Sequence, residues 1–341
     1  MHAERLSQLD GLRALAVTFV MAFHFMPVVD RFAPLGSIGV RLFFVLSGFL
    51  ITTILLRSRG EPLGEALRRF YLRRSLRIFP VFYLVLAVAA LINIGPVRHT
   101  IGWHVTYLTN AYLFDRGAWH GSISHLWSLA VEEQFYLVWP FLVLTIAERR
   151  LAPVIAVMVI ASPLSRVAVG GPMNSVLPTS CLDSLGAGAL LALPATRELV
   201  IRIGKTVGLP LIAAALALRY TGMNGVALEV VLDLGVSLGA AWLVGSAAAG
   251  FRGAIGSVLQ WKSVAYVGTI SYGLYLFHGF MPYVLGRYVP GFIDMSWPVR
   301  ALLLTVSTFA VASLSWRVFE APILTLKDRF AGAPASLRRA A

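Results

Sequence analysis

Apolar runs, most of them near the roughly 20 residues that cross a bilayer core as a helix, recur along almost the whole chain and are separated by short polar or basic stretches. The pattern predicts an all-α, polytopic transmembrane helix bundle. Ten spans are predicted, at 10–29, 36–56, 78–97, 125–147, 152–170, 181–195, 206–220, 229–250, 265–286 and 298–320. The runs at 181–195 and 206–220 are the shortest. A moderately apolar stretch, His104 to Phe114, lies between the third and fourth spans. Counted as an eleventh span it would invert every later segment, so 98–124 is read as an external or re-entrant loop.

The basic residues orient this layout. With the N-terminus inside, 19 lysines and arginines fall on inner segments and 6 on outer ones, which places both termini in the cytoplasm. The first run follows a short head containing Arg5, and no small-residue cleavage pattern appears before Asp30-Arg31-Phe32, so it is read as a retained span. The expected organisation is a transmembrane domain over 1–322 and a basic cytoplasmic tail over 323–341, in the inner (cytoplasmic) membrane.

Composition sharpens the class. The chain is 58% hydrophobic and 13% charged, with a mean hydropathy of +0.77, far more apolar than a soluble domain. The net charge of +13 sits between apolar runs rather than on a soluble face, so no nucleic-acid partner is expected. The one cysteine, Cys181, excludes an internal disulfide. No metal-ligand spacing occurs, and no metal is expected.

Ionisable side chains inside spans are costly and mark functional positions. In the first span, Asp10 and Arg13 are followed by His24. Arg13 and His24 lie eleven residues apart, which puts them within about 20° of one helix face and about 16 Å apart along the axis. Arg13 either flanks the helix end or holds an anion, and His24 is either a core histidine or a base deeper in the bilayer. His125, Ser128 and Glu132 follow an i, i+3, i+7 pattern that makes one polar stripe, and the expected depths bring Glu132 level with His24. For Glu132 and Glu133 the competing reading is an ion pair with an intramembrane arginine such as Arg41. For Ser128 it is a helix–helix hydrogen bond rather than an acyl-serine. Arg74 and Arg77, three apart in the run from Arg68 to Arg77 between spans two and three, suit phosphates, or else lie against anionic lipid. His278 is a further in-span histidine, open to a substrate role or to simple packing. Glu320 is expected to pair with a base at the inner interface, and Asp183 has no evident partner.

The motifs in order are Leu9-Asp10-Gly11-Leu12-Arg13 with the gap to His24, Gly39 to Phe49, Arg74-Ser75-Leu76-Arg77-Ile78-Phe79-Pro80, Trp127 to Glu132, and Phe319-Glu320-Ala321-Pro322. Together they resemble acyltransferase family 3, membrane proteins that O-acylate surface polysaccharides, lipopolysaccharide O-antigens, peptidoglycan, Nod factors or macrolides. The resemblance covers nearly the whole chain. It implies that Arg13 and His24 match the family's essential arginine and histidine, Arg74 and Arg77 its paired cytoplasmic arginines, and Ser128 and Glu132 its serine-glutamate motif. It also implies acetyl-CoA, or another acyl-CoA, as a donor from the cytoplasm, and a saccharide or lipid-linked saccharide acceptor on the outer side of the bilayer. Some relatives carry an extra C-terminal hydrolase-like domain, which this sequence is read as lacking. The expected mechanism makes His24 the base, oriented by Glu132, with Arg41, Asp10 and His278 as substrate or oxyanion groups, Arg41 first for the oxyanion. The rival class is a proton-coupled or anion transporter, which buried histidine, arginine and carboxylates also suit. The arginine run joined to an in-span Arg13–His24 face favours the enzyme.

Overall fold

Helix is the only regular secondary structure among the residues that the computed structural model describes: 2–26, 28–29, 33–95 and 97–331. The Asp30-Arg31-Phe32 stretch and the tail beyond 331 lie outside the described residues. In chain order the helices are α1 (His2–Phe25), α2 (Leu35–Arg57), α3 (Leu63–Leu91), α4 (Val97–Val105), α5 (Thr109–Arg116), α6 (Leu126–Thr145), α7 (Glu148–Val169), α8 (Leu182–Ala192), α9 (Pro194–Ile203), α10 (Leu209–Tyr220), α11 (Val226–Ala249), α12 (Gly253–Leu259), α13 (Lys262–Thr269), α14 (Ser271–His278), α15 (Met281–Tyr288), α16 (Trp297–Ser315) and α17 (Ala321–Ala331). A π-helical turn, Gly204–Gly208, joins α9 to α10, and another, Trp316–Glu320, joins α16 to α17.

Six stretches are long and apolar enough to cross a membrane: α2, α3, α7, Pro194–Tyr220, α11 and Trp297–Leu326. Their outward faces are apolar. Val157, Ile160 and Leu164 on α7 are each between 63% and 66% exposed, which is tolerable only where the surrounding medium is lipid. The 24-residue α1 and 20-residue α6 have spanning length but not a spanning composition. Their hydropathy is lowered by Gln8, Asp10, Arg13 and His24 on one and by Glu132, Glu133 and Gln134 on the other.

Several boundaries differ from the sequence pattern, three of them with a consequence for the site or the bundle. The third span begins at Leu63 rather than at 78, so the run from Arg68 to Arg77 is the first half of a 29-residue helix and not a loop. Pro62 caps its start and leucine and arginine extend it readily; Asn93 with φ 55° and Gly95 end it. The 181–195 run is the 11-residue α8, about 16 Å long and buried inside the bundle. The 265–286 run is broken into α13, α14 and α15. A proline, Pro282, in the first turn of α15 forces a fresh helix start there.

The 98–124 segment holds α4 and α5, at nine and eight residues each too short to cross. His104 joins them, with Nε2 at 2.8 Å from Thr100 Oγ1 and Nδ1 at 2.8 Å from Thr109 Oγ1. Burial pushes its imidazole down to about 4, so it remains a neutral hydrogen-bonding link near neutral pH. Gln134 of α6 docks the pair, donating to the Tyr107 carbonyl at 2.8 Å and to Asn110 Oδ1 at 3.0 Å.

Close approach of α2 and α8 fixes the bundle's centre. A Cβ on Gly48 would collide with the Leu185 carbonyl, and one on Gly188 with that of Val45, so only glycine permits this spacing. Around the same helices Arg41 of α2 pairs with Asp183 of α8, at 3.2 Å, and with Asp233 of α11, while Arg166 of α7 pairs with both carboxylates. Two cations and two anions thus offset each other across four helices. Asp183 is fully buried and serves both guanidiniums. Asp183→Ala leaves two buried charges short of a partner, and a loss of about 3–5 kcal/mol is expected from such a break. Thermal unfolding in detergent reads it as a large drop in Tm, and an unchanged Tm would contradict the clamp.

Candidate functional site

Helices α1, α2, α3, α6 and α14 line a partly open cavity of about 90 Å³. Its wall is built from segments that are remote in sequence. Arg13 comes from the middle of α1, and Arg74 and Arg77, three apart on α3, turn the same face inward. Ser128, Glu132, Glu133 and Tyr136 come from α6, Ser47 from α2, and Tyr272 and Tyr275 from α14.

Hydrogen bonds order the wall. Tyr136 donates to Ser47 Oγ at 3.1 Å, and Ser47 in turn donates to Glu132 Oε1 at 2.5 Å. The Arg74 guanidinium lies over the rings of Tyr136 and Phe70, 5.6 and 6.0 Å from their centroids, so its carbon plane is packed while its N–H groups stay available. Asp10 does not line the cavity; it accepts from Arg13 at 2.9 Å one helical turn away and holds that side chain in place. The close contact of Gly268 on the Asp10 carbonyl fastens this part of α1 to α13. Three guanidiniums facing one space are suited, by charge and donor geometry, to a compound with several phosphates.

A second cluster adjoins the cavity at its Ser128 end. Ser128 Oγ and the Tyr275 hydroxyl are hydrogen-bonded across α6 and α14, and Tyr275 also donates to the His125 carbonyl at 3.0 Å. Beyond this pair the imidazoles of His125, His278 and His24 stand in a row, with successive centroids 4.9 Å apart. His125 and His278 are buried, whereas His24 is exposed. His24 Nδ1 lies 2.9 Å from the Val20 carbonyl and so carries the proton, which leaves Nε2 as the lone-pair nitrogen of the neutral ring.

The sequence expectations divide accordingly. Arg13, Arg74, Arg77, Ser128 and Glu132 converge on the cavity. His24 and His278 meet each other instead, on the far side of the Ser128–Tyr275 pair. Glu132 does not orient His24. It lies four residues, or about 6 Å of rise, further along α6 than Ser128, and its hydrogen bond comes from Ser47. The expected match of depths fails because α1 ends at Phe25, placing His24 in its last turn rather than inside a longer span. Arg41, expected as an oxyanion group, is committed to Asp183 and Asp233 and does not line the cavity. Glu320 accepts from Ser315 at 2.8 Å. Ser47, Tyr136, Tyr272 and Tyr275 were not singled out by the pattern, because a serine or tyrosine in an apolar run carries no charge to mark it; the i, i+3 spacing of Tyr272 and Tyr275 was the available signal.

Comparison with known proteins identifies the family of the chain. A family model described as an acyltransferase domain matches residues 6–317. The putative peptidoglycan O-acetyltransferase YrhL of Bacillus subtilis is 30% identical over 95% of this chain and 56% of its own length. The peptidoglycan O-acetyltransferase OatA of Listeria monocytogenes is 28% identical over 92% of this chain and 55% of its own. The chain therefore spans about half the length of these curated relatives. No solved structure matches it. With its apolar helices and a match over nearly its whole length, the chain is an integral, multi-pass membrane protein that belongs to acyltransferase family 3.

Proposed function

We propose that the protein is a membrane-bound O-acyltransferase that moves an acetyl group from cytoplasmic acetyl-CoA to a hydroxyl of an envelope saccharide, such as peptidoglycan, on the outer side. The observation that carries this reading is the convergence of Arg13, Arg74 and Arg77 on the cavity that Ser128 and Glu132 also line. The arginines hold the donor's phosphates, and the acyl thioester points towards the Ser128–Tyr275 end. His24, exposed and with Nε2 free of the Val20 carbonyl, meets the acceptor from the opposite side.

In the transfer step the acceptor hydroxyl gives its proton to His24 Nε2 and its oxygen bonds the acetyl carbonyl carbon. The carbon–sulfur bond breaks, and coenzyme A leaves as a thiolate that takes up a proton. The Ser128–Tyr275 hydrogen bond stands between donor and acceptor, so it parts as the two approach; Glu132, tied to Ser47, balances the arginines when the donor is absent. The role that the expected depths gave to Glu132, orientation of the base, falls instead to the Val20 carbonyl.

The test uses inside-out membrane vesicles, with labelled acetyl-CoA on the exposed cytoplasmic face and label followed into saccharide and into free acetate. Label in saccharide is expected, with acetate as the product when acceptor is absent. If vesicles with the protein consume no more acetyl-CoA than vesicles without it, and acetyl-CoA does not raise the Tm of the purified protein, the donor assignment falls and solute transport is the next assay.

A further inference from the structure

Tyr275 belongs to both halves of the site. It lines the cavity, and its ring stands against those of His125 and His278, with centroids 5.9 and 5.3 Å away. The ring of Phe43 closes a third side at 5.9 Å. Buried and packed in this way, the ring has little room to turn, and its hydroxyl is held where α6 and α14 meet. Tyr275 Oη donates to the His125 carbonyl at 3.0 Å and is also hydrogen-bonded to Ser128 Oγ. With its single proton directed at the carbonyl, Tyr275 accepts from Ser128. Ser128 Oγ itself lies 3.3 Å from the same carbonyl, three residues back on its own helix. Two hydroxyl protons therefore have one carbonyl within reach, and the carbonyl needs only one of them at a time.

The second proton is spare. When Ser128 turns its O–H to the carbonyl, the Tyr275 O–H is released towards the cavity while both side chains stay where they are. One hydrogen bond, that between the two hydroxyls, is given up. A ligand oxygen that becomes negative restores it in stronger form, because a charged acceptor binds an O–H better than a neutral one. We propose that Tyr275 is a catalytic residue of the acyl transfer, its hydroxyl donating to the oxygen of the acetyl carbonyl as that oxygen gains charge, while Ser128 takes its place at the His125 carbonyl. The inference rests on the proposed transfer from a thioester bound with its acyl end at Ser128. As the acceptor oxygen bonds the carbonyl carbon, the electron pair of the C=O bond moves onto the oxygen, where the Tyr275 O–H meets it; no proton leaves Tyr275. When the carbon–sulfur bond breaks, the pair returns, the thiolate departs and the Tyr275 O–H turns back to the His125 carbonyl. The phenol is the more acidic of the two hydroxyls and hence the better donor. Its ring is fixed in advance, which is what stabilising a developing charge requires.

Tyr275→Phe removes the hydroxyl and keeps the ring against Phe43, His125 and His278. In the vesicle assay it is expected to lower kcat for transfer by about 10²- to 10³-fold, the usual loss on removing one oxyanion donor. Hydrolysis of acetyl-CoA to acetate should fall by a similar factor, because both reactions pass through the same oxyanion. The arginines hold the donor, so acetyl-CoA should raise the Tm of the purified variant as much as that of wild type. Ser128→Ala leaves the Tyr275 hydroxyl in place and removes only the group that relieves it at the carbonyl, so it should lose about tenfold, the effect of one neutral hydrogen bond. The proposal is overturned if Tyr275→Phe keeps wild-type kcat, or if it releases acetate faster than wild type, which marks the hydroxyl pair as a barrier between donor and water. It is equally overturned if transfer falls while hydrolysis does not, which ties Tyr275 to the acceptor alone, or if Ser128→Ala is the slower variant, which makes Ser128 the group that meets the acyl oxygen. Should Tyr275→Phe fail to fold, Ser128→Ala decides: a loss of about tenfold supports the role of Tyr275, and one beyond about a hundredfold, the range of a lost oxyanion donor, overturns it. Wild-type protein assayed in parallel keeps the two ideas apart. No consumption of acetyl-CoA by wild type defeats the acetyltransferase reading, whereas an active wild type beside an equally active Tyr275→Phe defeats only the inference about Tyr275.

Discussion

Replacing His24 with alanine is expected to lower kcat for acetyl transfer by roughly 10²- to 10⁴-fold, the usual contribution of a positioned general base, while leaving both the fold and donor binding in place. The ring is exposed, and its hydrogen bond is to the carbonyl of Val20 four residues back on its own helix, so its loss opens no cavity in the core and the change in stability should stay within about 0.5 kcal/mol. It also does not line the cavity where Arg13, Arg74 and Arg77 converge, so acetyl-CoA should raise the Tm of His24→Ala as much as that of wild type. Asparagine is the stricter control. It can still donate to the Val20 carbonyl but lacks Nε2, and it should be as inactive as alanine. Transfer within tenfold of wild type in either variant would remove His24 from the role of base. A lost thermal shift with acetyl-CoA would mean instead that His24 shapes the donor site.

The sequence made the class of fold plain and left its details open, and the reason is physical. Apolar run length reports whether a helix fits a bilayer, but not whether it touches lipid, so α8 read as a span although it is short and wrapped by α2, α7 and α11. Charge reports position only through side-chain cost, which is why the arginines of α3 suggested a loop: a guanidinium that faces a polar cavity in a bundle is paired or hydrated there, and the helix continues beneath it. Spacing within one helix was informative. The i, i+3 relation of Arg74 and Arg77 and the Ser128, Glu132 stripe each put their residues on the cavity wall. Relations between helices were not legible, because they depend on where each helix starts. The early end of α1 carried His24 away from Glu132 and towards His278, and Asp183 found Arg41 and Arg166 from helices far off in the chain.

Substituting Arg74 and Arg77 together by glutamine should raise the Kd for acetyl-CoA by about 10²- to 10⁴-fold, since each charge-assisted hydrogen bond to phosphate contributes roughly 1.5–3 kcal/mol and each 1.4 kcal/mol is a factor of ten. The single variants need not add up to the double, because the two guanidiniums face one ligand from adjacent turns of α3. Arg74→Gln also removes the packing over Tyr136 and Phe70, so it should cost some Tm that Arg77→Gln does not. Arg77→Gln is accordingly the cleaner measure of binding. A thioester without phosphates separates phosphate recognition from general damage: acetyl-pantetheine should be used equally poorly by wild type and by the double variant, while acetyl-CoA should be used well by wild type alone. Higher salt should close part of that gap by screening the arginines. If the double variant binds acetyl-CoA as tightly as wild type, the two arginines are lipid anchors or structural groups, and the cavity they line with Arg13 holds something other than the donor's phosphates.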